Sequence, residues 1–327
     1  MKIAIIGCTG VVGSIMLKVL EEQQIPISDL LPVASIKSIG KNVSFNNENY
    51  KIISIEEAIE RKPDFAIFSA GKEISKKYAP LFVNNGTTVI DNSSAWRMNN
   101  DVPLVVPEIN FNSAYNNKLI ANPNCSTIQM VLAIHELHNI FKIKRLVAST
   151  YQSVSGSGAK GINQLFAERK GADNSSPAYP HQIDLNIIPH GGAFLDNGYT
   201  EEEIKLVDET RKILNDNSIQ ITATVVRVPV TGGHSISLNI EFEKDFTLDE
   251  IYSTLKNTSG ITVMDDIKNN IYPTPLFAEG KDDVFVGRIR RDFSAPNSLN
   301  IWITADNLRK GAATNAVQIL KGLLNNH

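Results

Sequence analysis

Apolar and polar positions along the chain fall into two textures. Residues 2–6 form a β-favouring apolar run, followed by Gly7-Cys8-Thr9-Gly10-Val11-Val12-Gly13 and then, over 14–22, by apolar residues at helical spacing. That order predicts a strand, a glycine turn and a helix. Short apolar runs at 30–34, 64–68 and 88–90 read as further strands, with helical periodicity over 55–61 and 72–84. Alternating strands and helices imply a parallel sheet with right-handed crossovers, an α/β domain of Rossmann type.

Past about residue 145 the runs lengthen. Strands are expected at 145–150, 219–230, 235–243, 284–290 and 299–305, with helices at 161–169, 200–215 and 247–256. This half reads as an α+β domain around a mostly antiparallel sheet. An amphipathic helix closes the chain at 310–324, and the polar, turn-rich stretch 171–180 reads as a surface loop. The expected division is 1–124, completed by the C-terminal helix 306–327, and 125–305.

Composition narrows the class. The chain has 327 residues, which favours two domains, and 42% hydrophobic content, which is enough for sizeable cores. Lys plus Arg is 32 against 35 Asp plus Glu, a formal charge of −3, which argues against nucleic acid or a polybasic membrane contact as partner. The two cysteines, Cys8 and Cys125, cannot form a disulfide framework or a cysteine-rich metal site, so a reducing compartment is expected. Lys2 and the run Ile5-Ile6-Gly7-Cys8 look superficially like a lipoprotein cleavage site, but too little chain precedes them for a signal peptide. No run reaches the roughly 20 apolar residues of a spanning helix. A cytoplasmic enzyme is the leading expectation.

Glycines at 7, 10 and 13 between the first strand and the first helix let the backbone turn tightly and approach a pyrophosphate, whose charge meets the free N–H groups of the helix. The spacing is G-x-x-G-x-x-G, in the context that a dinucleotide site requires. After the second strand, Ser35, Lys37 and Ser38 stand where an NAD site carries a carboxylate, and none lies between residues 30 and 41. That favours NADP over NAD; a solvated surface lysine is the alternative reading of Lys37.

Cys125, in Asn122-Pro123-Asn124-Cys125-Ser126-Thr127, precedes a helical stripe of Met130, Ile134, Leu137 and Phe141. A thiol at a helix N-terminus has its pKa lowered toward the thiolate, as a nucleophile needs. Cys8, inside the glycine turn, reads as structural. Among His135, His138, His181, His190, His234 and His327, His234 follows the turn Thr231-Gly232-Gly233 and is the best acid–base candidate. His135 and His138 are expected to face solvent. No H-E-x-x-H pattern exists, so no metal is expected.

Together these residues resemble the aspartate-β-semialdehyde dehydrogenase family over essentially the whole chain, with Asn-Pro-Asn-Cys-Ser-Thr at 122–127 looking like its nucleophile motif. The resemblance implies a dinucleotide-binding domain followed by a catalytic and dimerisation domain. It implies reduction of L-aspartyl-4-phosphate by NADP(H) through a thioester on Cys125, with phosphate released, and a homodimer or tetramer. It assigns Gln152 to orienting the substrate, Arg97 and Lys205 to the phosphate, Arg227 to the substrate carboxylate and Glu202 to its ammonium, with Asn124 beside the oxyanion. For the cofactor it matches Gly7, Thr9, Gly10, Val11, Val12 and Gly13 to the diphosphate turn, Ser155 and Gly156 to the nicotinamide end, and Asn307. Lys37 stands where many members carry arginine, and the turn before His234 varies. The competing expectations are a sister acyl-phosphate reductase on the same fold and a non-catalytic paralogue; Glu202 argues against the first, and the retained Cys125, Gln152, Arg227 and His234 against the second.

Overall fold

The computed structural model describes residues 1–172 and 176–325. Contacts divide them into two units, Met1–Asn124 together with the segment from Ala312, and Cys125–Gly311. Residues 306–311, expected with the C-terminal helix, group with the second unit. The Asp306 carboxylate anchors them there by accepting the Gly280 N–H at 2.7 Å, and Arg309 grips Asp282 through two bonds of 2.9 Å.

In the first unit, five parallel strands run in the order Asp29–Val33, Lys2–Ile6, Phe65–Phe68, Thr88–Asp91, Leu119–Ala121. Alternate residues of the first strand serve opposite cores. Ile3 and Ile5 pack with Met16, Leu20, Val317 and Leu320, whereas Ala4 and Ile6 pack with Leu31, Ala79 and Phe82. Burial on both faces explains why these strands read as continuous apolar runs. The first helix, Val11–Glu22, begins three residues earlier than its periodicity indicates, with Gly10 as the last extended residue. The three-residue strand Leu119–Ala121 ends just before Pro123, which cannot continue it, and a hairpin of Asn42–Phe45 with Glu48–Lys51 was not anticipated. The hairpin turns on Asn46 and Asn47, both at positive φ (49° and 63°), which asparagine tolerates.

In the second unit, six strands run in the order Ile261–Val263, Val284–Arg291, Ser298–Ala305, His234–Phe242, Ile143–Gln152, Gln220–Arg227. The three inner pairings are antiparallel, and the two outer ones are parallel. Each parallel edge needs a long crossover, which the helices Gly158–Arg169 and Glu201–Leu214 supply on one side.

The helix Cys125–Phe141 is buried almost all round rather than along one stripe. His135 and His138 are therefore buried, not solvent-facing. Each imidazole has a reason to be inside: His135 Nδ1 donates to the Leu132 carbonyl at 2.9 Å, and His138 Nδ1 accepts the Ile143 N–H at 3.1 Å. A π-helical turn, Arg309–Ala313, precedes the last helix, Thr314–Leu324, where the sequence reads as one α-helix from 310. Of the expected loop 171–180, residues 173–175 lie outside the described residues, as does His327.

Candidate active site

In the first unit the glycine turn is dictated by the chain's own backbone. Gly7 adopts φ +90°, and a Cβ there would sit 2.5 Å from the Ser69 carbonyl oxygen. A Cβ on Gly13 would meet the Gly7 carbonyl oxygen at 2.1 Å and Cys8 Cα at 2.9 Å. Side chains at 7 and 13 are thus excluded before any ligand is considered. The helix that follows has no side-chain cap at Gly10 and no acidic residue in its first turn, and Thr9 and Gly10 are exposed. Free N–H groups at such an end attract an anion. Lys37 and Ser38 lie on a short 3-10 turn, Ile36–Ser38, just past the second strand, with Ser35 as the extended residue before it and Lys37 exposed.

Arg97 is buried in the turn after the strand Thr88–Asp91. Its Nε donates to the Asn122 carbonyl at 2.9 Å and its Nη2 to the Asn92 carbonyl at 2.8 Å, which fixes the plane of the guanidinium. Asp91 beneath it is fully buried, and burial raises its carboxyl above the usual range against the pull of Ser93 and Arg97. Ser93 Oγ donates to Asp91 at 2.6 Å and accepts from the Ala95 N–H, shaping the turn that carries Arg97. Neither Asp91 nor Ser93 is flagged by the sequence, because a strand-end Asp followed by serines reads as an ordinary turn. Asn124 is buried in the segment just before Cys125.

In the second unit, strand register assembles the other residues. Gln152 pairs with Arg227 on one neighbouring strand and with His234 on the other, so three sequence-distant residues form one row. Laterally paired residues project to the same face. Gln152 Nε2 donates to Ser126 Oγ at 2.8 Å, which ties this row to the first turn of the helix that starts at Cys125. Cys125 itself is half-buried. A Cβ on Gly311 would lie 3.0 Å from Cys125 Cβ, so the backbone at 311 passes close beside the cysteine. Cys8, by contrast, is buried, and desolvation pushes its thiol up to about 11.

His234 is fully buried, and burial pushes its imidazole down to about 3. The charge of Arg227 acts in the same direction, while the Gly233 carbonyl and Glu202 oppose it. Its Nδ1 accepts the Ser153 N–H at 3.1 Å. A Cβ on Gly156 would sit 2.7 Å from Arg227 Nη1 and 3.0 Å from His234 Nε2, so glycine there leaves the imidazole edge and the guanidinium uncovered. Ser155 and Asn307 are buried and bond each other at 3.1 Å, and Ser153 Oγ joins them through Asn307 Oδ1 at 3.1 Å. Ser153 and Ser126 carry no signal in the sequence beyond standing next to Gln152 and Cys125. Glu202 and Lys205, in the first turns of the helix Glu201–Leu214, form an ion pair at 3.0 Å. Among the described residues no group of three or more His, Cys, Asp or Glu could hold a metal ion, and no helix is long and apolar enough to cross a membrane.

A parallel-sheet unit opening on a glycine turn, followed by a mixed-sheet unit with a thiol at a helix start, defines a two-unit dehydrogenase. Residues 2–117 match the family described as semialdehyde dehydrogenase, NAD binding domain, and residues 134–310 match semialdehyde dehydrogenase, dimerisation domain. The chain is 49% identical to the aspartate-semialdehyde dehydrogenase of Aquifex aeolicus, over 99% of this chain and 98% of that one. It is 49% identical to that of Legionella pneumophila, over 98% and 94%. The crystal structure of aspartate semialdehyde dehydrogenase II from Vibrio cholerae, complexed with ASA, superposes with a TM-score of 0.96 at 42% identity, covering 100% of this chain and 98% of that one. This chain belongs to the aspartate-semialdehyde dehydrogenase family and is an oxidoreductase.

Proposed function

We propose that this protein reduces L-aspartyl-4-phosphate to L-aspartate-4-semialdehyde with NADPH, releasing phosphate, as a step toward lysine, threonine and methionine. The observation that carries the reading is the row Arg227, Gln152, His234, tied through Ser126 to the turn that begins with Cys125.

The glycine turn fits a dinucleotide: it bars a Cβ at Gly13 and leaves the helix N-terminus uncapped and free of acid. Gly7, Thr9, Gly10, Val11, Val12 and Gly13 would hold the diphosphate, Lys37 with Ser35 and Ser38 a 2′-phosphate, and Ser155, Gly156 and Asn307 the nicotinamide end. When bound, NADPH supplies the hydride that takes a thioester to the aldehyde level.

The chain's own residues supply the rest. Arg227 grips the substrate α-carboxylate with two parallel bonds, and Glu202 meets the ammonium. Gln152 orients the acyl group above Cys125. The thiolate attacks the acyl carbon while a backbone N–H and Asn124 stabilise the oxyanion, and phosphate leaves toward Arg97 and Lys205. His234 attends the oxygen of the thiohemiacetal as it collapses and expels the Cys125 thiolate. The reading includes a cytoplasmic homodimer or tetramer; assembly is supported by the dimerisation-domain match over 134–310.

The test is a spectrophotometric assay with aspartate semialdehyde, phosphate and either NADP or NAD. Phosphate-dependent reduction, faster with NADP, is expected. No turnover by folded protein with either nucleotide would contradict the reading and favour a sister acyl-phosphate reductase.

A further inference from the structure

In the first unit's sheet the parallel pairings end at Phe68, Asp91 and Ala121. The last backbone rungs run from the Asn92 N–H to the Phe68 carbonyl at 3.0 Å and from the Asn122 N–H to the Asp91 carbonyl at 2.8 Å. From there side chains continue the lateral tie. Asn315 Nδ2, on the last helix, donates to the Val105 carbonyl at 2.9 Å and to Asn122 Oδ1 at 2.7 Å. Asn122 Nδ2 donates to the Ala312 carbonyl at 3.2 Å and to Asn92 Oδ1 at 2.6 Å. Asn92 Nδ2 donates to the Phe68 carbonyl at 3.1 Å. The direction of this chain is fixed at every link. A backbone carbonyl only accepts, so the contacts to Val105, Ala312 and Phe68 each settle which end of an amide is nitrogen. Asn122 and Asn315 are fully buried and Asn92 is half-buried, so a broken link would leave polar groups away from water.

The same two strand-end asparagines hold Arg97. Its Nε donates to the Asn122 carbonyl at 2.9 Å and its Nη2 to the Asn92 carbonyl at 2.8 Å. A guanidinium is a rigid planar fork, so it meets both carbonyls only when they stand at one spacing and tilt. The side-chain bond between Asn92 and Asn122 sets that spacing at the point where the strands stop pairing. We propose that Asn92, Asn122 and Asn315 are positioning residues for Arg97: their one-way amide chain spaces the two carbonyls that aim its guanidinium at the phosphate. The inference rests on the proposed reading, in which phosphate leaves toward Arg97, and it gives that step residues that act through the arginine.

The test follows phosphate-dependent oxidation of aspartate semialdehyde by the full-length protein as wild type, Asn92→Ala, Arg97→Lys and the double variant. Asn92 is the half-buried end of the chain, and its truncation leaves Asn122 bonded to Asn315 and Ala312. Asn92→Ala should raise KM for phosphate about tenfold, as small misplacements of binding groups do, with KM for aspartate semialdehyde and for NADP unchanged. In the Arg97→Lys background, where no fork remains to be aimed, Asn92→Ala should add nothing. An unchanged KM for phosphate, an equal rise in all three KM values, or the same rise in both backgrounds overturns the inference. Asn92→Leu fills the space without a hydrogen bond and should behave as Asn92→Ala; a return to the wild-type KM would make the role one of packing and overturn it too. A crystal structure of Asn92→Ala should show the guanidinium parted from the carbonyl of residue 92, and an unmoved guanidinium contradicts the proposal. Failure of the proposed function would look different: no phosphate-dependent turnover by the wild type, or a wild-type KM for phosphate in Arg97→Lys, with the guanidinium still displaced in Asn92→Ala.

Discussion

Gln152 donates to Ser126 across 2.8 Å, joining the last residue of the strand Ile143–Gln152 to the residue after Cys125. The bond spends Nε2 and leaves Oε1 buried without a partner among the described residues. That oxygen is available to a bound substrate, and the tie sets where Cys125 sits relative to it. Gln152→Ala should therefore lower kcat by about 10²-fold, as small misplacements of reacting groups do. It should cost only about 1 kcal/mol of stability, the worth of one hydrogen bond. Steady-state kinetics and chemical unfolding check the two effects separately; a stability loss without a kcat loss would remove Gln152 from the site.

The two thiols should react differently. Cys8 is buried with its thiol pushed up to about 11, whereas Cys125 is half-buried at a helix start. Iodoacetamide at neutral pH should label Cys125 in the native protein and Cys8 only after unfolding, which peptide mass spectrometry reads directly. Cys8→Ala should retain activity.

Acid should destabilise the protein partly through His234. Its folded value of about 3 lies below the ordinary 6.5, so above pH 6.5 neither folded nor unfolded state binds the proton. Below that pH only the unfolded chain takes it up, and stability falls toward pH 3 at a limit of roughly 1.4 kcal/mol per pH unit. Thermal unfolding at pH 7.5 and pH 5 should show a larger drop in Tm for the wild type than for His234→Gln. An equal drop would mean that His234 does not titrate in this way.

Gly13→Ala should be more damaging than Gly10→Ala. An added Cβ would lie 2.1 Å from the Gly7 carbonyl oxygen in the first case and 3.3 Å in the second. Overpacking of this kind costs about 1–3 kcal/mol. Gly13→Ala should lower Tm and weaken NADPH binding, and equal Tm values for the two variants would contradict the packing argument.

Local pattern exposed the first unit well, because strands buried on both faces give unbroken apolar runs and the glycine turn interrupts them visibly. The hairpin at Asn46 and Asn47 was missed because its strands are mostly exposed and short. Burial of His135 and His138 was missed for the opposite reason: a helix enclosed on all sides has no polar face, and each imidazole is satisfied by a backbone group that periodicity cannot reveal. In the second unit, Cys125 and His234 stood out by their neighbours, but the row they belong to is a matter of strand register. Gln152, Arg227 and His234 meet because three strands pair at one level, and the supporting Ser153 and Ser126 become visible only once that pairing exists.

The most direct test of the account is to incubate the protein with aspartate semialdehyde and NADP without phosphate, and to weigh it intact and as peptides. The thiol adds to the aldehyde and the adduct is oxidised, but nothing releases the acyl group. One equivalent of reduced nucleotide per chain and an aspartyl thioester on the peptide containing Cys125, discharged when phosphate is added, are predicted. An adduct on another residue, or turnover that persists in Cys125→Ala, would contradict it.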